Sequence, residues 1–286
     1  MISNKINELF GSWSRDTNSQ IPSWVYTDKD VYSRELERLF YQGHWCYVGL
    51  EAEIPESGDF KRTGIGGRSV VMTRSRDNSI SVVENVCAHR GMKFCRERSG
   101  NRAKLICPYH QWSYDLKGNL QGVPLRRGVE ASDGTVQGGM PEDFRPKDHN
   151  LKKLKVAVRN GVVFASFDHN IESFEDFLGP KILALFDRTF DGRKLEILGY
   201  NRQRIPGNWK LMQENIKDPY HPGLLHVWFV TFGLWRADNK SQLVMDEHYR
   251  HAAMISEKGS KGKKSTVTEG VGTFREGMRL YDDRFL

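Results

Sequence analysis

Residues 87–112 read CAHRGMKFCRERSGNRAKLICPYHQW. The stretch opens on Cys87-x-His89 and closes on Cys107-x-x-His110, with seventeen residues between the two pairs. On either side lie short apolar or β-branched runs cut by Gly, Asn and Asp: 44–54, 58–75, 79–88 and 103–120. That pattern predicts an antiparallel all-β unit. It continues through LKKLKVAVRNGVVFASFD (151–168), where Asn160-Gly161 marks a hairpin turn. Each Cys/His pair then falls on a loop between strands, so two hairpin tips can grip one object.

Helical patterns flank the β unit. YSRELERLFYQ (32–42) repeats with helical period. IESFEDFLGPKILALFDRTF (171–190) reads as one amphipathic helix with acidic residues at its positive end. KLEILGYNRQRIP (194–206) reads as a strand, and GNWKLMQENIKD (207–218) as a helix. The chain is therefore α+β, with a β domain over about 43–167 set into an α+β domain formed by 1–42 and 168–286.

Composition narrows the function classes. With 286 residues the chain is long enough for two domains and a sizeable core. Lys plus Arg exceed Asp plus Glu by 43 to 36, a net charge of +7 that suits surface solubility. No basic run is interleaved with aromatics as in a single-strand binder, so no nucleic-acid partner is expected. SEKGSKGKKS (256–265) reads as a flexible loop. The N-terminus shows no signal peptide, and the longest apolar run, HVWFVTFGLW (226–235), is about half a membrane span. No membrane association is expected. Four cysteines are too few for a disulfide scaffold at this length, and a cytoplasmic chain with reduced thiols follows. Cys46 and Cys95 have no comparable partners and read as core or loop thiols.

Two thiolates and two imidazoles suit a tetrahedral zinc or an iron–sulfur cluster. The usual zinc finger segregates its cysteines from its histidines. Here each pair is mixed, which suits a two-iron cluster whose loops each give a thiolate to one iron and an imidazole to the other, the Rieske arrangement. Replacing two thiolates by neutral imidazoles raises the potential and makes a mild electron relay. Structural zinc, or buried thiols with incidental histidines, are the alternatives.

An electron relay needs a destination, and ENIKDPYHPGLLH (214–226) offers one. Asp218 and His221 share a helix face. His221 and His226, five apart, diverge by 140° on an ideal helix. Pro222 disfavours helical geometry at His221, so a break at Pro222-Gly223 can swing His226 round to meet it. Two histidines and a carboxylate form the facial triad of non-haem iron oxygenases. A loop carrying surface histidines is the bland alternative.

The two motifs together resemble the Rieske aromatic-ring-hydroxylating oxygenases, large (alpha) subunit. The family patterns are C-x-H-R-G, C-P-Y-H-G-W and E-x3-D-x2-H-x4-H. Residues 87–91 fill the first, and residues 107–112 the second with Gln111 in place of Gly. Glu214, Asp218, His221 and His226 fill the third. The resemblance runs along the whole chain, and the salicylate-hydroxylating branch is most similar, with anthranilate oxygenases behind it.

That resemblance implies an all-β Rieske [2Fe–2S] domain inserted in a catalytic domain of the helix-grip type, the latter incomplete at the C-terminus. It implies that Cys87, His89, Cys107 and His110 hold the cluster and that His221 and His226 bind a mononuclear Fe(II). Asp218 would link an iron-bound histidine to a cluster histidine of a neighbouring subunit. Glu214 and Asn215 are candidates to face the substrate pocket, with a polar helix face as the equal alternative. The third iron ligand would lie beyond residue 286, since Asp246, Asp282 and Asp283 do not match the family's spacing. Arg202, Arg204 and Arg236 are candidates to neutralise a substrate carboxylate. The implied activity is hydroxylation of an aromatic carboxylate by O2, with salicylate to gentisate favoured and benzoate-type dioxygenation as the alternative. The chain shows no nicotinamide site, GIGG (64–67) included. Electrons would come from NADH through a separate reductase and ferredoxin. A small (beta) subunit and a ring of three large subunits complete the implied assembly. An electron-transfer module without its own catalysis is the reading from a different class.

Overall fold

The apolar runs pair as their alternation predicts. In the computed structural model, which describes residues 2–13, 20–226 and 240–257, the chain forms two compact units. The first comprises residues 1–177 with 187–202, the second 178–186 with 203–286. The first begins with helices α1 (Ile2–Ser12), α2 (Trp24–Thr27) and α3 (Lys29–Glu35), the last widening into a π turn over Leu36–Phe40. Asp28 caps α3, its carboxylate accepting from the backbone N–H groups of Asp30 and Val31.

Three antiparallel sheets follow. Strands β1 (Cys46–Leu50), β2 (Asp59–Ile65), β3 (Arg68–Arg74), β4 (Ile80–Glu84), β5 (Ser99–Asn101), β6 (Leu105–Ile106), β7 (Ser113–Tyr114) and β8 (Leu120–Gly122) precede a short ribbon of β9 (Val129–Glu130) and β10 (Val136–Gln137). β11 (Lys155–Arg159) and β12 (Val162–Ser166) close the unit. The sheet orders are β4-β3-β2-β5, β6-β7-β8 and β1-β12-β11. The first of these is buried on both faces. Val70, Met72 and Val82 face a core with Val48, Ile54, Val163 and Ala165. Val71 and Val83 face a second core with Leu105, Tyr114 and both Cys87 and Cys107. A strand buried on both faces has no polar face to show, which is why Val70–Met72 reads as a continuous apolar run.

The Asn160-Gly161 turn forms as expected, with φ of 50° and 81° and Arg159 opposite Val162. The two ends of the β region also meet. Asp168 Oδ2 accepts the Gly43 N–H at 3.2 Å, and β1 pairs with β12.

Two expectations need correction. The amphipathic stretch 171–190 forms α4 (Phe174–Thr189), but α4 is two helical segments broken at Gly179, with φ 70° and ψ 161°. Pro180 has no N–H to donate and drives residue 179 out of helical geometry, and glycine takes a left-handed φ at little cost. The strand expected over 194–206 does not form: the span joins no ladder among the described residues, and Leu198 is 93% exposed. An apolar alternation makes a strand only where a neighbour meets its backbone groups.

The second unit contains α5 (Trp209–Asn215), capped by the Asn208 side chain, and the four-residue α6 (Pro222–Leu225). It also contains the hairpin of β13 (Lys240–Met245) and β14 (Ala252–Glu257). Among the described residues no helix is long and apolar enough to cross a membrane. The 226–235 run beyond His226, the 256–265 loop beyond Glu257, Arg236, Asp282 and Asp283 lie outside the described residues.

Candidate metal centres

The two Cys/His loops are built alike. In the first, the Cys87 N–H donates to Met92 O and the Gly91 N–H to Cys87 O, both at 2.9 Å. In the second, the Cys107 N–H donates to Trp112 O and the Gln111 N–H to Cys107 O, again both at 2.9 Å. The same bond pattern closes each loop five residues after its cysteine. The fifth residue of each takes a left-handed φ, 71° at Gly91 and 55° at Gln111. Strand β4 leads into the first loop, and β6 and β7 brace the second from both sides.

The loops bring the predicted four residues together in layers. Cys87 and Cys107 are each 2% exposed and belong to one core. His89 and His110 are half-buried, with ring centroids 4.6 Å apart. The buried Tyr114 hydroxyl accepts the Ala88 N–H at 3.2 Å and lies 3.3 Å from Cys87 Sγ. Either group can donate in that contact while Cys87 is a thiol, and the hydroxyl donates once the sulfur is a thiolate. Burial pushes the Cys87 thiol up, and Cys107 beside it adds to that, while the Tyr114 contact opposes it. Two buried neighbouring thiols are costly to ionise unless a cation accompanies the change. His89 is held toward its neutral form, first by burial and then by His110, Arg90 and His149. Its buried Nδ1 has no hydrogen-bond partner. An orphaned imidazole nitrogen beside two convergent thiols is the donor set a metal cluster requires, and the four residues fit a [2Fe–2S] group. Among the described residues no three His, Cys, Asp or Glu side chains stand within reach of a single metal ion.

Sequence reading missed the residues that hold this site. Asn85, fully buried, accepts the Cys95 N–H at 2.9 Å and donates to Cys95 O at 2.8 Å. Trp112 stacks on the His89 ring at 4.7 Å and 4°. His149 meets the edge of Trp112 at 5.7 Å and stacks on Phe144 at 4.6 Å. The signal for Asn85 was an amide inside the apolar run VVENV, while His149 lies thirty-seven residues from Trp112 and carries no local signal. Cys46 and Cys95 are free thiols, and burial pushes Cys46 up to about 11.

In the second unit, α5 stops at Asn215 and α6 starts at Pro222. Asp218 turns the chain between them, its Oδ1 accepting from the Tyr220 N–H at 2.7 Å. His221 itself has helical φ/ψ of −63° and −31°, contrary to the expectation that Pro222 would exclude them. The interruption comes earlier, at residues 216–220, and Pro222 serves as the first residue of α6, where its missing N–H costs nothing. The convergence expected of the two histidines is present: Nε2 of His226 lies 3.2 Å from Nε2 of His221. Asn215 Nδ2 is 3.2 Å from the same His221 nitrogen. Asp218 Oδ2 stands 3.4 Å from His221 Nδ1, within ion-pair reach but not aligned as a hydrogen bond. Glu214 is exposed on α5. Asp246 is committed elsewhere, its carboxylate accepting the His248 and His251 N–H groups at the β13–β14 turn. Arg202 lies over the Tyr200 ring at 4.8 Å, and Arg204 is exposed.

Comparison with known proteins gives the family. The Rieske [2Fe–2S] domain family matches residues 44–133, which contain Cys87, His89, Cys107 and His110. The terephthalate 1,2-dioxygenase terminal oxygenase component subunit alpha 2 of Comamonas sp. is 39% identical over 98% of this chain and 67% of its own length. The chain belongs to the Rieske oxygenase large subunits. The large oxygenase component of salicylate 5-hydroxylase from Ralstonia sp. is 68% identical over 96% of this Rieske oxygenase chain. This chain spans 64% of that relative's length. Naphthalene 1,2-dioxygenase from Rhodococcus sp., solved with indole, superposes with a TM-score of 0.71 at 32% identity, over 83% of this chain and 53% of that one. The cofactors of Rieske oxygenases, a [2Fe–2S] Rieske cluster and a mononuclear non-haem iron, are those the two histidine-bearing sites suit.

Proposed function

We propose that this Rieske oxygenase chain serves a terminal oxygenase that hydroxylates an aromatic carboxylate, with salicylate to gentisate as the favoured reaction. The observation that carries the reading is the pairing of a buried Cys87/Cys107 layer with a half-buried His89/His110 layer on two like-built loops. The 68% identity to the salicylate 5-hydroxylase component supports the substrate class. Cys87, His89, Cys107 and His110 are assigned to the cluster, and His221 and His226 to the mononuclear iron. When bound, the two groups supply electron relay and reductive activation of O2.

The chain's own residues set the conditions. Tyr114 directs a hydroxyl at the Cys87 sulfur and so stabilises its negative charge. Trp112 covers one face of the His89 ring and keeps water from it. Asp218 faces His221 Nδ1, which favours the tautomer with its proton there and leaves Nε2 as the donor beside His226. Asp218 is also assigned the link between subunits, and Glu214 the wall of the substrate pocket.

A ferredoxin and an NADH-dependent reductase are the proposed electron donors. A small subunit, a trimeric ring and a cytoplasmic setting complete the proposal. The domain division proposed is 1–42, 43–167 and 168–286, supported by the meeting of Gly43 and Asp168. The test is turnover of salicylate and anthranilate by the oxygenase reconstituted with its electron donors. Gentisate formed from salicylate at the expense of NADH is the expected result. Electron uptake with no hydroxylated product from any benzoate would leave a relay and end the hydroxylase reading.

A further inference from the structure

The fifteen residues RGMKFCRERSGNRAK (90–104) run from the first ligand loop to β6 and carry six cations against one acid. Over the whole chain the balance is 43 to 36, so this segment is cationic far beyond the average. Its single acid, Glu97, is paired with Arg102 at 2.8 Å. Arg90, Lys93, Arg96, Arg98 and Lys104 are exposed, and none has an ion pair among the described residues. A charge run is often only a solvated face. This one differs in how it is mounted. Phe94 and Cys95, in its middle, are buried in the same core as Cys87 and Cys107. Asn85 fixes Cys95 by both its N–H and its carbonyl. β5 pairs with β2, while the Arg62 N–H donates to Arg98 O at 2.7 Å and its Nε to Glu97 O at 3.1 Å. The backbone is pinned and the cationic heads are left unpaired.

We propose that residues 90–104 form the landing face for an acidic electron-carrying protein that reduces the cluster. The inference rests on the assignment of Cys87, His89, Cys107 and His110 as cluster ligands. In the step served, the carrier is oxidised by one electron and the cluster reduced by one, with no bond made or broken. Unpaired cations on a fixed backbone attract an acidic surface over about a Debye length, and such steering raises encounter rates by about 10–10³-fold at low ionic strength. The segment begins at the residue after His89, and its Phe94 and Cys95 pack in the core that holds both cysteines, so the face adjoins the first Cys/His loop.

The test is stopped-flow reduction of the holo-oxygenase by a photoreduced, acidic, plant-type [2Fe–2S] ferredoxin, in the wild type and in the double variant Arg96→Glu/Arg98→Glu. The expected result is a second-order rate constant at least about tenfold lower in the variant at low salt, with a flattened dependence on ionic strength. Reduction by photoreduced deazaflavin, a small donor with no acidic surface, should stay unchanged, as should the visible spectrum. The neutral pair Arg96→Gln/Arg98→Gln serves if charge reversal impairs folding, and should fall in between. A spectrally intact variant that ferredoxin reduces as fast as wild type would overturn the proposal, as would a wild-type rate indifferent to salt. Absence of Rieske bands in the wild type is a separate result that removes the cluster assignment itself.

Discussion

The two candidate metal centres are held in opposite ways. The four residues assigned to the cluster come from two loops, and their cysteines sit in a core shared with Tyr114, Trp112 and Phe94. Asn85 and Tyr114 fix the loops from positions outside the motifs. The histidine pair of the second unit is held locally. Asn215, Asp218, His221 and His226 lie within twelve residues, His226 is exposed, and the helix that presents them is interrupted. The first centre is braced by the core around it, and taking it apart exposes apolar surface and buried polar groups. The second depends on short-range contacts at exposed positions, where each is weak and readily rearranged. A relay gains from rigidity, which limits reorganisation. A centre that admits substrate and oxygen gains from freedom to adjust.

The largest effect should come from Cys107→Ser. It removes a residue assigned to the cluster and places a hydroxyl in a site 2% exposed. Loss of visible absorption and acid-labile sulfide is expected, with no residual turnover and lower solubility. His221→Ala probes the other side of the comparison. It should abolish product and remove the mononuclear iron while leaving cluster absorption and labile sulfide intact. Loss of the cluster signal in that variant would show that the two centres do not fold independently. Asn85→Ala tests the rigid support alone. It strips both backbone partners from buried Cys95, and a loss of about 2–4 kcal/mol in denaturant unfolding is expected.

Tyr114→Phe separates tuning from packing. The ring and its core contacts stay, but Cys87 loses the hydroxyl 3.3 Å from its sulfur. Removing a donor from a sulfur that carries more negative charge when reduced destabilises the reduced form, so the potential should fall. A preference of about 1 kcal/mol corresponds to roughly 40 mV for one electron, readable by redox titration. An unchanged potential would place the hydroxyl hydrogen elsewhere.

What could be read from the sequence follows the same division. The Cys/His pairs, the Asn160-Gly161 turn and the alternating runs are short-range signals, and the structure carries them where they were expected. The His221–His226 meeting was also legible, although its break falls at 216–220 and not at Pro222. The Gly179-Pro180 break was written in the dipeptide but masked by the amphipathic pattern running through it. Residues 194–206 show the reverse failure, since alternation says nothing of whether a neighbouring strand exists. The partners of Asn85, and the roles of Tyr114 and His149, were illegible for a third reason. Their partners lie 10, 27 and 37 positions away, and only the folded sheets bring them together.

The smallest effect belongs to the place where the two like-built loops differ. Both take a left-handed φ at the fifth residue, but the first has Gly91 there and the second Gln111, where the family usually has glycine. A side chain at φ 55° brings Cβ close to the backbone carbonyl, at a cost of about 1 kcal/mol. Gln111→Gly removes that cost and also increases the freedom of the unfolded chain, which offsets part of the gain. A net stabilisation of about 0.5 kcal/mol is expected, or a rise of roughly 1–2 °C in the thermal midpoint of the cluster-loaded protein. The mirror change, Gly91→Ala, meets no neighbouring atom within 4 Å, so its loss of about 1 kcal/mol would report φ alone. If Gln111→Gly instead destabilises, the exposed amide side chain has a role that the backbone geometry does not show.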